Sequence, residues 1–238
     1  MTRAGFRTKV INFSLFLSTS DLVPRGLMHR PTDEAINGEK DPESQLKQLA
    51  DFLFEVGMLR KTPRSGFQFL GSGGESVAEH SYRTAIIGYL LARKCGVSWE
   101  RVMLMCLVHD LHEARVGDFN YVNRLYNRAD EWRAFRDAVK QTGPEEHLLE
   151  AAEELEATQT EEAKLARDAD QLDLILTLKE EQDLGNPYAP KWMHHAVKRL
   201  RTEYGQKLAR AIQATDHTDW WFAGVDSGWW SRDNGCGR

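Results

Sequence analysis

Cysteine is scarce in this sequence: Cys95, Cys106 and Cys236 lie far apart and form no C-x-x-C pair. That spacing offers neither a disulfide framework nor a thiolate zinc site, and it fits a reducing cytoplasm. An excess of positive charge is missing as well, since 31 Lys and Arg against 36 Asp and Glu leave a formal net charge of −5. A broad basic face for gripping a nucleic acid polymer is therefore not expected, while small phosphorylated partners remain open. No apolar run is long enough to span a bilayer, so no membrane partner is expected. Convincing strand alternation and internal repeats are absent too.

What is present is ordinary for a packed domain: 41% hydrophobic and 28% charged residues, in a 238-residue chain long enough for one core plus tails. Arg3, Arg7 and Lys9 precede the first acid, Asp21, in loose likeness to an organellar transit peptide, and Leu22 to Gly26 matches a thrombin-type cleavage sequence. Residues 1–40 are accordingly set aside as a flexible leader that need not be native, with Met28 to Lys40 as its polar linker. The domain is expected over 41–222, with 223–238 as a tail.

Within the domain the stops and starts are those of helices. Asp41-Pro42-Glu43 gives a cap, a first-turn proline and a first-turn acid, and Leu46, Leu49, Phe52, Leu53 and Val56 follow at helical spacing. Residues 61–76, with Gly66 and Gly71-Ser-Gly-Gly74, predict a loop without helix. A helix over 77–94 is expected to bury Tyr82, Ala85, Ile86, Tyr89 and Leu90. Ser98 caps the next, whose run Val102 to Val108 is apolar all round and marks a buried central helix. Helical segments follow over 121–141 and 145–155. Thr158-x-x-Glu161 predicts a capping box for a long helix ending near Leu184, and two more helices span about 190–200 and 203–214. The tryptophans at 220, 221, 229 and 230 are expected to cover a core edge. The fold class is all-α.

The buried central helix runs into His109 and Asp110, then His112 and Glu113. An unpaired buried carboxylate is very costly, so a cation, either arginine or metal, is required beside it. Further ligands are available in His80 and in Asp168 and Asp170. Asp170 adjoins the apolar stripe of Leu165, Ala169, Leu172 and Leu176. Asp168 lies about 200° away around the helix and is expected to be solvated. Asp173 shares the face of Asp170 and is held in reserve as a ligand or as support. Two imidazoles and two carboxylates suit an open manganese, cobalt, iron or magnesium site better than a closed structural zinc.

The sequences Glu75-Ser-Val-Ala-Glu-His80-Ser, His109-Asp-Leu-His-Glu113-Ala-Arg-Val-Gly-Asp118 and Ala169-Asp170-Gln-Leu resemble the motifs of the HD superfamily of metal-dependent phosphohydrolases, in its 5′-deoxynucleotidase branch. The resemblance covers about residues 45–222 and implies one HD-type helical domain. It implies that His80, His109, Asp110 and Asp170 bind one divalent ion (Mn, Co, Mg, Fe or Zn), that Glu113 is catalytic, and that Asp118 serves the leaving-group or sugar side. It implies an arginine and a tryptophan before the first histidine. Here Arg64 and Phe67 stand in that loop, with altered spacing and a different ring, as candidates for phosphate and nucleoside contacts. Arg83 is open between a substrate phosphate and Glu79. His112 is assigned to packing, and Lys191, Lys198, Arg199 and Arg201 to a solvated face.

The activity so implied is hydrolysis of deoxyribonucleoside 5′-monophosphates by a cytoplasmic homodimer. The alternatives are a nucleoside triphosphate, a cyclic nucleotide or another small phosphoester as substrate, or a nucleotide-binding module without turnover.

Overall fold

The computed structural model describes residues 41–140 and 142–222. The leader and the tail with Trp229 and Trp230 lie outside the described residues. Helix α1, Pro42–Val56, starts where the sequence places it, with the Asp41 carboxylate accepting from Glu43 N at 3.5 Å. A 3₁₀ turn, Gly57–Arg60, leads into the glycine-rich stretch. That stretch does contain helix, contrary to expectation: one turn, α2, Phe67–Leu70, closes at Gly71 with φ 71°. Four consecutive residues without glycine and a buried Leu70 are enough for one anchored turn.

Helix α3, Val77–Cys95, opens on a capping box: Ser76 Oγ accepts from Glu79 N at 3.2 Å, while the Glu79 carboxylate accepts from Ser76 N at 2.7 Å. Of the expected buried face only Ala85 is buried. Val77, His80, Thr84, Ile87, Gly88 and Leu91 are buried, while Tyr82, Ile86 and Leu90 are exposed. The reason is close approach: a Cβ at Gly88 would meet Cys106 Sγ at 2.7 Å, so the core selects small and polar residues that a hydrophobicity period overlooks.

Helix α4, Trp99–Val108, follows, capped by Ser98. Val102, Met105, Cys106 and Val108 are buried, but Leu107 is half exposed, so the run is not buried all round. Short helices α5, Glu113–Val116, α6, Tyr121–Tyr126, and α7, Glu131–Val139, lead to α8, Glu145–Ala157. Thr158 is not the next cap; it takes a left-handed conformation, φ 50°, that ends α8. Thr160 instead accepts from Ala163 N at 3.1 Å and opens α9, Glu161–Asp183. The last described helices are α10, Ala189–Val197, α11, Glu203–Ala214, and α12, Asp219–Phe222.

The hub is α9, which packs against α3 and α4 and also against α8, α10 and α11. This arrangement corrects the reading of Asp168. With both sides of α9 covered, residues on opposite faces are buried together, and Asp168 is as inaccessible as Leu172. Its carboxylate accepts from Arg201 N at 2.7 Å, Thr202 N at 2.9 Å and Thr202 Oγ1 at 2.6 Å, pinning the turn between α10 and α11. At the C-terminal side Trp220 is 86% exposed and Phe222 55%, so neither covers a core edge. Among the described residues no helix is long and apolar enough to cross a membrane, and none forms a strand.

Candidate metal centre and active site

Three helices bring His80, His109 and Asp110 into one cluster and set Asp170 against its His80 edge. His80 comes from the first turn of α3, His109 and Asp110 from the end of α4, and Asp170 from the middle of α9. His80 Nε2 lies 3.1 Å from His109 Nε2, 3.6 Å from Asp110 Oδ2 and 3.3 Å from Asp170 Oδ1. His109 Nε2 lies 3.1 Å from Asp110 Oδ2.

The outer nitrogens decide what this means. His80 Nδ1 is 2.6 Å from Asp173 Oδ2, and His109 Nδ1 is 2.7 Å from the carbonyl of Cys106. A carboxylate and a carbonyl can only accept, so both Nδ1 atoms donate, and in a neutral ring each Nε2 then keeps a lone pair. With neutral rings, two imidazole lone pairs and two carboxylate oxygens therefore face one another, and the donor that meets them is the Arg64 guanidinium, at Asp110 Oδ2. Only a cation makes that arrangement favourable, and the donor set fits a divalent ion with a mixed nitrogen and oxygen shell.

The titration behaviour agrees. Burial works against a charge on His80, but in the metal-free site the hydrogen bonds of Asp170 and Asp173 prevail and carry its pKa up to about 10, so the surroundings favour positive charge at this point. Burial likewise opposes ionisation of Asp110 and Asp170, yet His109 and Arg64 for the first, and His80 for the second, hold both below the usual carboxylate range.

The surroundings form a cavity of about 300 Å³ whose lining includes Arg64, Phe67, Glu113 and Asp118. Arg64 Nη1 donates to Asp110 Oδ2 at 3.1 Å, and its guanidinium keeps its proton against burial because Asp110, Asp170, Asp118 and Glu113 surround it. Asp118 Oδ2 accepts from Ser65 N at 2.7 Å and Ser65 Oγ at 3.3 Å, which ties the Arg64 loop to the segment after α5. Glu113 is buried, and its Oε2 has no hydrogen-bond partner. Burial, with the charges of Asp110 and Asp118, raises its pKa to about 9. It does not share an unbroken helix with His109: α4 ends at Val108, and Glu113 is brought in by a tightened turn in which its N–H reaches the Asp110 carbonyl at 3.0 Å.

Arg83 is not among the residues lining this cavity. It stands behind His80, bonded through Nε to Asp173 Oδ1, through Nη1 to Glu180 at 2.8 Å and through Nη2 to Thr177, while Glu79 is spent on its cap. Asp173, fully buried, thus grips His80 with one oxygen and Arg83 with the other. His112 lies outside the four, 3.8 Å from Glu131. Arg199, expected on a solvated face, instead lines the cavity and donates to Gln171 Oε1 and to the Tyr121 hydroxyl, while Gln171 Nε2 donates to Asp170. Trp192 completes that wall. Sequence periodicity gave no signal for Tyr121, Trp192 or Arg199; the adjacency of Gln171 to Asp170 was the one available clue.

Comparison with known proteins gives a consistent picture. Residues 56–212 match the family model described as an HD domain. A mouse protein named 5′-deoxynucleotidase HDDC2 is 34% identical over 184 residues, which are 68% of this chain and 92% of the mouse protein. Among solved structures, a conserved hypothetical protein from Pyrococcus furiosus is 29% identical with a TM-score of 0.59, over 70% of this chain and 99% of its own. A protein from Magnetospirillum magnetotacticum, titled a predicted metal-dependent phosphohydrolase, is 26% identical with a TM-score of 0.55, over 72% and 92%.

Proposed function

The chain belongs to the HD domain family, and from that premise we propose that it is a divalent-metal-dependent phosphohydrolase that converts deoxyribonucleoside 5′-monophosphates to nucleoside and phosphate. One observation carries the reading: His80 Nε2, His109 Nε2 and Asp110 Oδ2 lie within 3.1 to 3.6 Å of one another, with Asp170 Oδ1 3.3 Å from His80 Nε2, beside a cavity lined by Arg64 and Glu113. The 5′-deoxynucleotidase name of the mouse relative supports the substrate.

In this reading His80, His109, Asp110 and Asp170 hold the ion, which when bound supplies Lewis acidity toward a phosphoryl oxygen and an acidified water. Arg64 binds the phosphate, released toward it once a cation neutralises Asp110. Glu113 orients the attacking water and, ionised once a bound cation offsets the Asp110 and Asp118 charges that raise its pKa, takes its proton. The new P–O bond forms as the P–O5′ bond breaks, and Asp118 assists protonation of the departing oxygen. Phe67 packs on the sugar or base. Arg83 supports His80 through Asp173 in preference to binding phosphate. Manganese, cobalt, iron, magnesium and zinc all accept this donor set.

Self-association accompanies the proposal, since α1 exposes Leu46, Leu53 and Phe54 and α3 exposes Tyr82, Ile86 and Leu90. A cytoplasmic setting goes with a substrate drawn from the free nucleotide pool. The test is a panel of deoxy- and ribonucleoside monophosphates, nucleoside triphosphates and cyclic nucleotides with each metal added to chelated protein. Deoxynucleoside monophosphates should be hydrolysed best, and Glu113→Ala should lose about 10²- to 10⁴-fold in rate. Full activity in that variant removes Glu113 from the mechanism, and exclusive turnover of triphosphates or cyclic nucleotides overturns the substrate.

A further inference from the structure

Asp170 stands at the edge of the cluster, and its two carboxylate oxygens have different partners. Oδ1 faces His80 Nε2 at 3.3 Å, and Oδ2 accepts from Gln171 Nε2 at 2.9 Å. The second bond is uncommon between helix neighbours, whose side chains leave the axis about 100° apart and do not ordinarily meet. Gln171 has to bend back around α9 to make it, and a long side chain left to itself would give up that pose for rotamer freedom. Arg199 holds it there, its Nε donating to Gln171 Oε1 at 2.5 Å. The guanidinium is fixed in turn by the Tyr121 hydroxyl, which accepts from Nη1, and by the Tyr121 ring, whose centroid lies 5.7 Å from the guanidinium carbon. The backbone beneath is fixed as well: Arg199 N donates to the Ala196 carbonyl at 3.0 Å, and just beyond it Arg201 N and Thr202 N donate to the Asp168 carboxylate at 2.7 and 2.9 Å. Asp168 and Gln171 share α9, so this helix pins the turn that returns an arginine to its own glutamine.

The direction of the hydrogen bonds says what the glutamine does. A guanidinium only donates and a carboxylate only accepts, so Gln171 Oε1 must face Arg199 and Nε2 must face Asp170. A primary amide joins the two and stays neutral. Asp110 shows the alternative: its Oδ2 accepts directly from Arg64 Nη1 at 3.1 Å, which sets a positive charge against that oxygen. At Asp170 the arginine is kept one amide away, so the carboxylate is oriented while its charge is left for a cation. Partners of this kind, bonded to the ligand and not to the ion, set how a ligand meets its metal.

We propose that Gln171, held by Arg199, is a positioning residue for Asp170: it anchors Oδ2 and presents Oδ1 to the ion. This rests on the metal-centre reading above, and it assigns Arg199 to the support of a ligand and not to the substrate. The test is calorimetric titration of manganese or cobalt into chelated wild type, Gln171→Met, Arg199→Met and the double variant, with circular dichroism melts of each and kcat and KM for a deoxynucleoside monophosphate at saturating metal. Methionine keeps much of either stem and removes its hydrogen bonds. Each single variant should raise the metal Kd by about 10-fold or more, with KM within about 2-fold of wild type. The double variant should match Gln171→Met to within about 2-fold, because Arg199 acts through the glutamine. Should Gln171→Met fail to fold, Arg199→Met breaks the same link without altering α9 and carries the test.

An unchanged Kd in folded Gln171→Met, or single losses that multiply in the double variant, would overturn the inference and leave the metal centre standing. An Arg199→Met variant whose only change is a raised KM would overturn it too, by making Arg199 a substrate contact. Wild-type protein that binds neither manganese nor cobalt overturns the reading beneath it.

Discussion

Replacing Asp173 by asparagine tests the support of the metal centre without touching a ligand. Both oxygens of this fully buried carboxylate are used, one by His80 Nδ1 at 2.6 Å and one by Arg83 Nε. The carboxylate fixes the tautomer of His80 and raises the basicity of Nε2; a neutral amide of the same shape does the first weakly and the second hardly at all. Loss of such a partner typically weakens metal binding by about 10- to 100-fold, or about 1.4 to 2.7 kcal/mol. Arg83 keeps Thr177 and Glu180, so the fold should survive. The assay is calorimetric titration of manganese or cobalt into chelated wild-type and Asp173→Asn protein, with circular dichroism melts of both. The expected outcome is a Kd raised by one to two orders of magnitude at unchanged stoichiometry. An unchanged Kd in a folded variant would refute the claim that His80 is a ligand braced by Asp173.

Three further outcomes are expected. In metal-free protein Glu113 has a pKa of about 9 because of burial and of Asp110 and Asp118. A folded-state value above the unfolded one means that stability falls as pH rises from about 4.5 toward 9, so Glu113→Gln should melt higher than wild type at pH 7 to 8, by on the order of 1–3 kcal/mol, while turnover is lost. Equal melting curves across that window would contradict the assignment of the buried proton. Asp168→Ala should lower stability by about 2–4 kcal/mol, because two backbone N–H groups and the Thr202 hydroxyl lose a buried acceptor. A urea titration measures this, and a change of less than about 0.5 kcal/mol would mean that the turn is held by something else. Gly66→Ala should displace the Trp192 ring or the Arg64 loop, at about 1–3 kcal/mol. Its KM for nucleotides should rise, and unaltered kinetics would show that the two walls are not in register.

The chemistry of this chain was more legible in its sequence than the packing was. The meeting of His80, His109, Asp110 and Asp170, beside a cavity lined by Glu113 and Asp118, was readable because a buried helix running into His109 and Asp110 demands a cation, and because the flanking motifs resemble those of one family. Caps at Asp41, Ser98 and Gly96 were readable because they are local. The inward face of α3 was not, since His80, Thr84 and Gly88 are chosen for close approach and for the site, while the exposed Tyr82, Ile86 and Leu90 carry the stronger periodic signal. Asp168 was misread for a related reason: a helical wheel assumes one buried side, and α9 is covered on two. Arg199 and Trp192 could not be found from the sequence, because their meaning comes from Gln171 and Tyr121, which are distant in the chain and meet them only in the fold.

The central claim is that His80, His109, Asp110 and Asp170 share one divalent ion. Anomalous scattering from crystals soaked in cobalt tests it directly. One peak per chain is predicted, within about 2.0–2.3 Å of both Nε2 atoms and of an oxygen from each aspartate. No peak there, with the Arg64 guanidinium filling the space between Asp110 and Asp170, would contradict it.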